Sequence, residues 1–148
     1  MSIDDRIKEV CASELPEFSF VFENWYDADT AIDRVKLPAV ICVLPVSGTL
    51  ELHNGRSRDS ESLQIAFVDK VPRNADGEDN AATYTSMKDA AVRFLRGVQR
   101  CGYFAPLSGR ISYRVICEKL SSIVTGVCLE LELEELIGVC DGRGKDIR

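Results

Sequence analysis

The sequence predicts an α+β fold: a mostly antiparallel sheet packed against one long amphipathic helix and an N-terminal helix. Three observations predict it. Apolar and polar residues alternate at period two in several short runs, among them GTLELHN (48–54), ESLQIAFVD (61–69) and SGRISYRVICEKL (108–120). One longer stretch, YTSMKDAAVRFLRGVQRCG (84–102), instead gathers Tyr84, Met87, Ala91, Phe94, Leu95 and Val98 on a stripe of period 3.6. The order of these runs is helix, three or four strands, helix, two strands, which lacks the strict alternation of a parallel α/β sheet.

The first helix is expected over residues 2–13. Ser2 caps it, Asp4 and Asp5 complement the macrodipole in its first turn, and Ile3, Ile7, Val10 and Cys11 share a face. Pro16 follows its end. EFSFVFE (17–23) places Phe18, Phe20 and Phe22 on one side of a strand. NWYDADTAIDRVK is polar and irregular, a loop or short turn. LPAVICVLP (37–45) is apolar on both sides, as in a central strand covered on two faces. The runs 48–54 and 61–69 form a hairpin, with GRSRDSE as a charged tip of about 7 residues. KVPRNADGEDNAA (70–82) is rich in breakers and predicts a loop.

The 84–102 helix follows, with Arg93, Arg96 and Arg100 toward its end and Gly102 as its stop. Gly97 inside it marks a close packing contact. The last two strands are 108–120 and VTGVCLELELEEL (124–136), with SSIVTG either between them or opening the second. In that second strand Leu129, Leu131 and Leu133 alternate with Glu130, Glu132 and Glu134, so it buries leucine and shows carboxylate to water or to a partner. The expected organisation is a single domain over 1–140 and a polar tail over 141–148.

Composition excludes several classes. A chain of 148 residues is long enough to bury a core without disulfide or metal staples. The net charge of −6 argues against a sequence-independent nucleic-acid binder and against docking on an anionic membrane. No apolar run approaches the roughly 18 residues of a membrane span. The N-terminus MSIDDRIKEV has no apolar leader region, and no two of the six cysteines are spaced C-x-x-C. Those at 42, 117 and 128 lie in apolar strand-like runs, so the cysteines are expected to be reduced, in a cytosolic product.

No motif specifies catalysis. His53 is the single histidine, so a two-histidine metal motif within the chain is excluded, and it lies on the polar side of its strand. Phosphate-loop and nucleophile-elbow patterns are missing. NADGEDN (74–80) resembles half of a calcium loop, but Pro72 and Asn74 before Asp76 break the spacing. It is better explained as a solvated turn in which Asp79 or Asn80 starts the next helix. Glu130, Glu132 and Glu134 lie about 6.5–7 Å apart on one face, and acid–base work needs one carboxyl in a dry pocket. Three together on a polar face suggest solvation. No catalytic residue, metal or cofactor is therefore expected.

The element order, the run SLQIAFVDKVP before a DG-containing loop and a helix ending FLRGVQRCGYFAPLSG, and V-T-G-x-x-L-E-L at 124–131 together carry a resemblance. Over roughly residues 5–140 the chain resembles the phage and prophage tail terminator family (tail completion, minor tail protein U-like), of the type carried in Bacteroidetes prophages. That resemblance implies a non-enzymatic structural subunit of the virion tail, present in the host cytoplasm during assembly. It implies self-association into a ring, commonly a hexamer, that ends tail-tube growth. Its partners would then be the tail tube protein and the head–tail connector protein. In this reading Arg56, Arg58 and Asp59 at the hairpin tip, and Asp76, Glu78 and Asp79 in the following loop, are candidate subunit or tube contacts. Glu130, Glu132 and Glu134 are candidates for a rim, or for an acidic lumen that lets DNA pass by repelling phosphate. Another neck or head–tail adaptor, or a dimeric α+β binding module, is the alternative. A divalent-metal enzyme built on the acidic residues is a third class.

Overall fold

The computed structural model describes residues 3–23, 36–53, 56–71, 76–107, 109–119 and 123–135. Its elements are α1 (Ile3–Glu14), β1 (Ser19–Phe22), β2 (Ala39–His53), β3 (Arg56–Lys70), α2 (Gly77–Cys101), β4 (Ser112–Lys119) and β5 (Ile123–Glu135). They form an α+β fold with a five-stranded sheet in the order β1-β2-β3-β5-β4. Only β1 and β2 run parallel; the other three pairings are antiparallel. α2 connects β3 to β4, and β5 returns between them, so the acidic strand is interior to the sheet and β4 is its edge.

Period-two alternation sends the two sides of each strand to two separate apolar clusters. On the helix side, Val40 and Cys42 of β2, Leu63, Ile65 and Phe67 of β3, and Val127, Leu129, Leu131 and Leu133 of β5 meet both helices. α1 contributes Ile3, Ile7, Val10 and Cys11, and α2 contributes Met87, Ala90, Ala91, Phe94 and Val98. The rings of Phe67 and Phe94 pack at 5.6 Å between centroids, tilted by 57°. On the opposite side, Val21, Ala39, Ile41, Val43, Ala66, Val68, Ile116, Val124 and Cys128 form the second cluster. Ala39–Val43 are all buried, as the doubly apolar 37–45 run requires.

The helices are tied to each other by polar contacts along their exposed flank. Arg93 donates to the Glu14 carbonyl at 2.6 Å, covering an unsatisfied group at the end of α1, and pairs with Glu17 at 3.2 Å. Arg100 pairs with Glu14 at 2.6 Å. Gly97 is a close-approach position, since a Cβ there would lie 2.9 Å from Val10 Cγ1 and collide with the Glu14 side chain.

Three expectations are corrected. The two separate runs at 37–45 and 48–54 belong to one strand, β2, whose ladder shifts between Val43 and Ser47. Pro45 lies in that interval, and a proline has no N–H for the ladder. The expected long hairpin tip is mostly strand: β3 begins at Arg56, which pairs with His53, so two residues intervene.

The long helix starts at Gly77, well before residue 84, because Asp76 caps it. Its carboxylate accepts from the Asp79 N–H at 2.9 Å and the Asp79 carboxylate accepts from the Asp76 N–H at 3.3 Å, a reciprocal capping box. Neither Asp79 nor Asn80 is therefore the cap. At the other end Gly102, with φ of 79°, is the expected left-handed stop. SSIVTG opens the second strand, from Ile123. The expected loop within 24–35, the residues between the hairpin strands and the tail over 141–148 lie outside the described residues.

Candidate interaction surfaces

β1 pairs with β2 only as far as Cys42. From Ser47 onward no described strand lies on the outer side of β2, and Ser47–Leu52 are exposed. On the other side β5 accompanies β3 to the rung Asp59–Glu135, whose partner on β2 is Leu50. Beyond that rung β2 and β3 continue through Glu51–Arg58, Leu52–Ser57 and His53–Arg56 with no other described strand beside them, a ribbon about 10 Å long at 3.3–3.4 Å per residue. Leu50 and Leu52 share the face of Val40 and Cys42 but have passed the end of the helix layer, and they stand 72% and 81% exposed. Asp59 sits directly across from Leu50 on that face. Along the ladder Arg56 pairs with His53 and Arg58 with Glu51.

The glutamate stripe lies on the sheet face away from both helices, because its leucine neighbours take the helix side. Glu130 and Glu132 are exposed and Glu134 is partly buried. Their rung partners on β3 are Gln64, Ser62 and Ser60, and Ser112 of β4 flanks Glu130. Two shallow hollows run along this strand. One, of about 420 Å³, includes Arg110, Ser112 and Ser60 with Glu130, Glu132 and Glu134; the other, of about 340 Å³, includes Ser47, Ser62 and Gln64 with Glu130 and Glu132. At the end of the stripe the Ala105 N–H donates to the Glu134 carbonyl at 2.8 Å, so the chain leaving α2 seals that end of β5.

Asp76, Glu78 and Asp79 are separated from the ribbon in role. Asp76 and Asp79 are spent on the capping box, and Glu78 sits exposed in the first turn of α2, where the macrodipole favours it. The structure thus brings Asp59 together with the exposed leucines, leaves the three glutamates as a separate polar face, and makes the 76–79 acids a helix terminus.

A third surface was not singled out by sequence. Tyr113 and Val115 on edge strand β4 are 47% and 46% exposed, and Val92 of α2 is 41% exposed. The Lys88 ammonium lies 5.6 Å from the ring centroid of Tyr84 and 5.2 Å from that of Tyr113. Alternation at Ile111, Tyr113 and Val115 identifies a strand but carries no information that this strand is an edge beyond the cover of α2.

The thiols that are described behave as core groups. Burial, reinforced by the neighbouring Cys42, pushes the Cys11 thiol up to about 12. Burial, with Asp4 and Glu61 adding to it, pushes Cys42 up to about 12 as well. Burial also raises Cys128. Among the described residues no three His, Cys, Asp or Glu side chains gather to hold a metal ion, and no helix is long and apolar enough to cross a membrane. No protein-family model and no curated protein matches the sequence.

Proposed function

We propose that the chain is a structural subunit of a phage or prophage tail, a terminator-like ring protein that ends tube growth and joins tail to head. The resemblance of its sequence supports this reading, and one structural observation carries it: the β2–β3 ribbon that leaves the body bearing Leu50 and Leu52 exposed. A monomer gains nothing from apolar side chains at the end of a ribbon, whereas a subunit that must grip a neighbour does. The glutamate face gives such a ring a surface that repels phosphate, suited to a lumen through which DNA passes. Its partners in this reading are other copies of itself, the tail tube protein and the head–tail connector protein.

Native mass spectrometry over a concentration series, with negative-stain imaging of the largest species, tests it. A closed ring of identical subunits, most simply a hexamer, is the expected outcome. A chain that stays monomeric at every concentration, alone and with tail tubes, overturns it. A second reading, a dimeric binding module, is favoured by β4: an eight-residue edge strand with Tyr113 and Val115 exposed is suited to pairing with its own copy. A stable two-fold dimer as the terminal species selects that reading.

A further inference from the structure

Five large apolar residues are exposed among the described residues, and four of them form two separate patches. Leu50 and Leu52 lie on the ribbon, and Tyr113 and Val115 lie on β4 beside α2, while Val92 stands apart on the outer side of α2. The patches differ in charge. The ribbon patch carries Asp59 beside Leu50 on the same face. The α2–β4 patch carries Lys88, held over the rings of Tyr84 and Tyr113. One is leucine with a carboxylate, the other aromatic and β-branched with an ammonium, so each is a better complement to the other than to itself.

We infer that the ribbon of one copy docks on the α2–β4 patch of the next, Leu50 and Leu52 against Tyr113 and Val115, with Asp59 reaching Lys88. The inference rests on the ring reading and names its contact. The occupant of each patch is a second copy of this chain. Because the two surfaces are different, the contact is head-to-tail. Each copy docked this way leaves one free ribbon and one free patch, so addition repeats until a rotation closes the ring. A two-fold dimer would instead match each surface to itself and place like charges together.

The test uses two surface variants of the full chain, L50D/L52D and Y113D/V115D, with thermal melting to show that each still folds. The wild type is expected to form the ring; each variant alone loses it and runs as a monomer. Mixed one to one, the intact ribbon of one variant meets the intact patch of the other, and a dimer forms that grows no further. In a second arm, D59K loses the ring and D59K/K88D recovers it. A wild type that assembles while either variant still assembles overturns this contact and leaves the ring reading standing. A mixture that stays monomeric after each variant has lost assembly overturns the head-to-tail pairing. A wild type that never assembles overturns the ring reading, and the contact with it.

Discussion

Thr125 Oγ1 donates to Asn80 Oδ1 at 2.6 Å, linking the interior strand β5 to the first turns of α2. Thr125 is 1% exposed, and the amide of Asn80 is oriented from its other side, where Nδ2 donates to the Asp76 carbonyl at 3.0 Å. One side chain therefore joins the helix cap to the sheet. Replacing Thr125 by Val keeps the shape and leaves Asn80 Oδ1 without this donor. A loss of about 1–2 kcal/mol is expected, read as a fall in Tm of roughly 3–8 °C. An unchanged Tm would mean that the bond contributes nothing net to stability.

Two glycines predict different outcomes for the same substitution. A Cβ on Gly126 would strike the Phe67 carbonyl and lie 2.9 Å from the Val68 Cα, and backbone in the middle of a ladder has no room to retreat. G126A is expected to cost about 3 kcal/mol or more, the upper end for overpacking. At Gly97 the obstacles are the side chains of Glu14 and Val10. Relief by rotation of Glu14, together with the roughly 1 kcal/mol helix gain of Ala over Gly, should hold the net cost of G97A below about 2 kcal/mol. Chemical denaturation of the two variants side by side checks the order; G97A proving the more damaging would contradict it.

The buried thiols predict both a labelling pattern and an alkaline limb. At pH 8, native alkylation followed by peptide mapping should modify the partly exposed Cys101 before Cys11, Cys42 or Cys128. Cys11 and Cys42 titrate near 12 when folded, against an ordinary value of 9.0. The unfolded chain therefore releases these protons first. Their contribution to stability is whole below pH 9 and is lost as pH rises from about 9 to 12. Urea midpoints should fall across that window, and more steeply for the wild type than for C11A/C42A. Equal slopes would show that other groups control the alkaline limb.

The glutamate face predicts a salt-dependent gain on neutralisation. Carboxylates on alternate residues sit about 6.5–7 Å apart, and in water two such charges repel by on the order of 0.6 kcal/mol. E132Q removes the middle charge and should raise Tm slightly at low salt, with the gain fading toward 1 M salt. A drop in Tm at low salt would reveal that Glu132 is paired favourably.

Most of the fold was legible because the patterns that decide it are local. The stripe Met87–Ala91–Phe94–Val98 could only be a helix face, and the leucines of β5 could only share one side of a strand. What escaped was set by neighbours in space. Asp76-Gly77 has the composition of a turn, and only the reciprocal bonds with Asp79 make it a helix start. GRSRDSE has the composition of a loop, yet Arg56–Glu61 pair as strand because β2 lies alongside. Among the candidate surfaces, the glutamate stripe was visible from alternation alone. The exposure of Leu50 and Leu52 was not, because alternation does not say where the helix layer ends. Tyr113 and Val115 escaped because β5 takes the interior place and leaves β4 at the edge.

The irregularity in β2 has a consequence for how the chain tolerates changes of length. Val43 pairs with Gln64 and Ser47 with Ser62, so four steps on β2 are matched by two on β3. The surplus is two residues, and the rung to Asp59 keeps Leu50 on the face of Val40. Deleting two residues within 44–46 would shorten the detour and leave the leucines pointing as before. Deleting one would leave a single extra residue, an ordinary one-residue bulge, while the rungs from Ser47–Ser62 to His53–Arg56 hold the leucines on the same face. Homologous chains of different length should therefore gain or lose residues at this place with the greasy tip preserved.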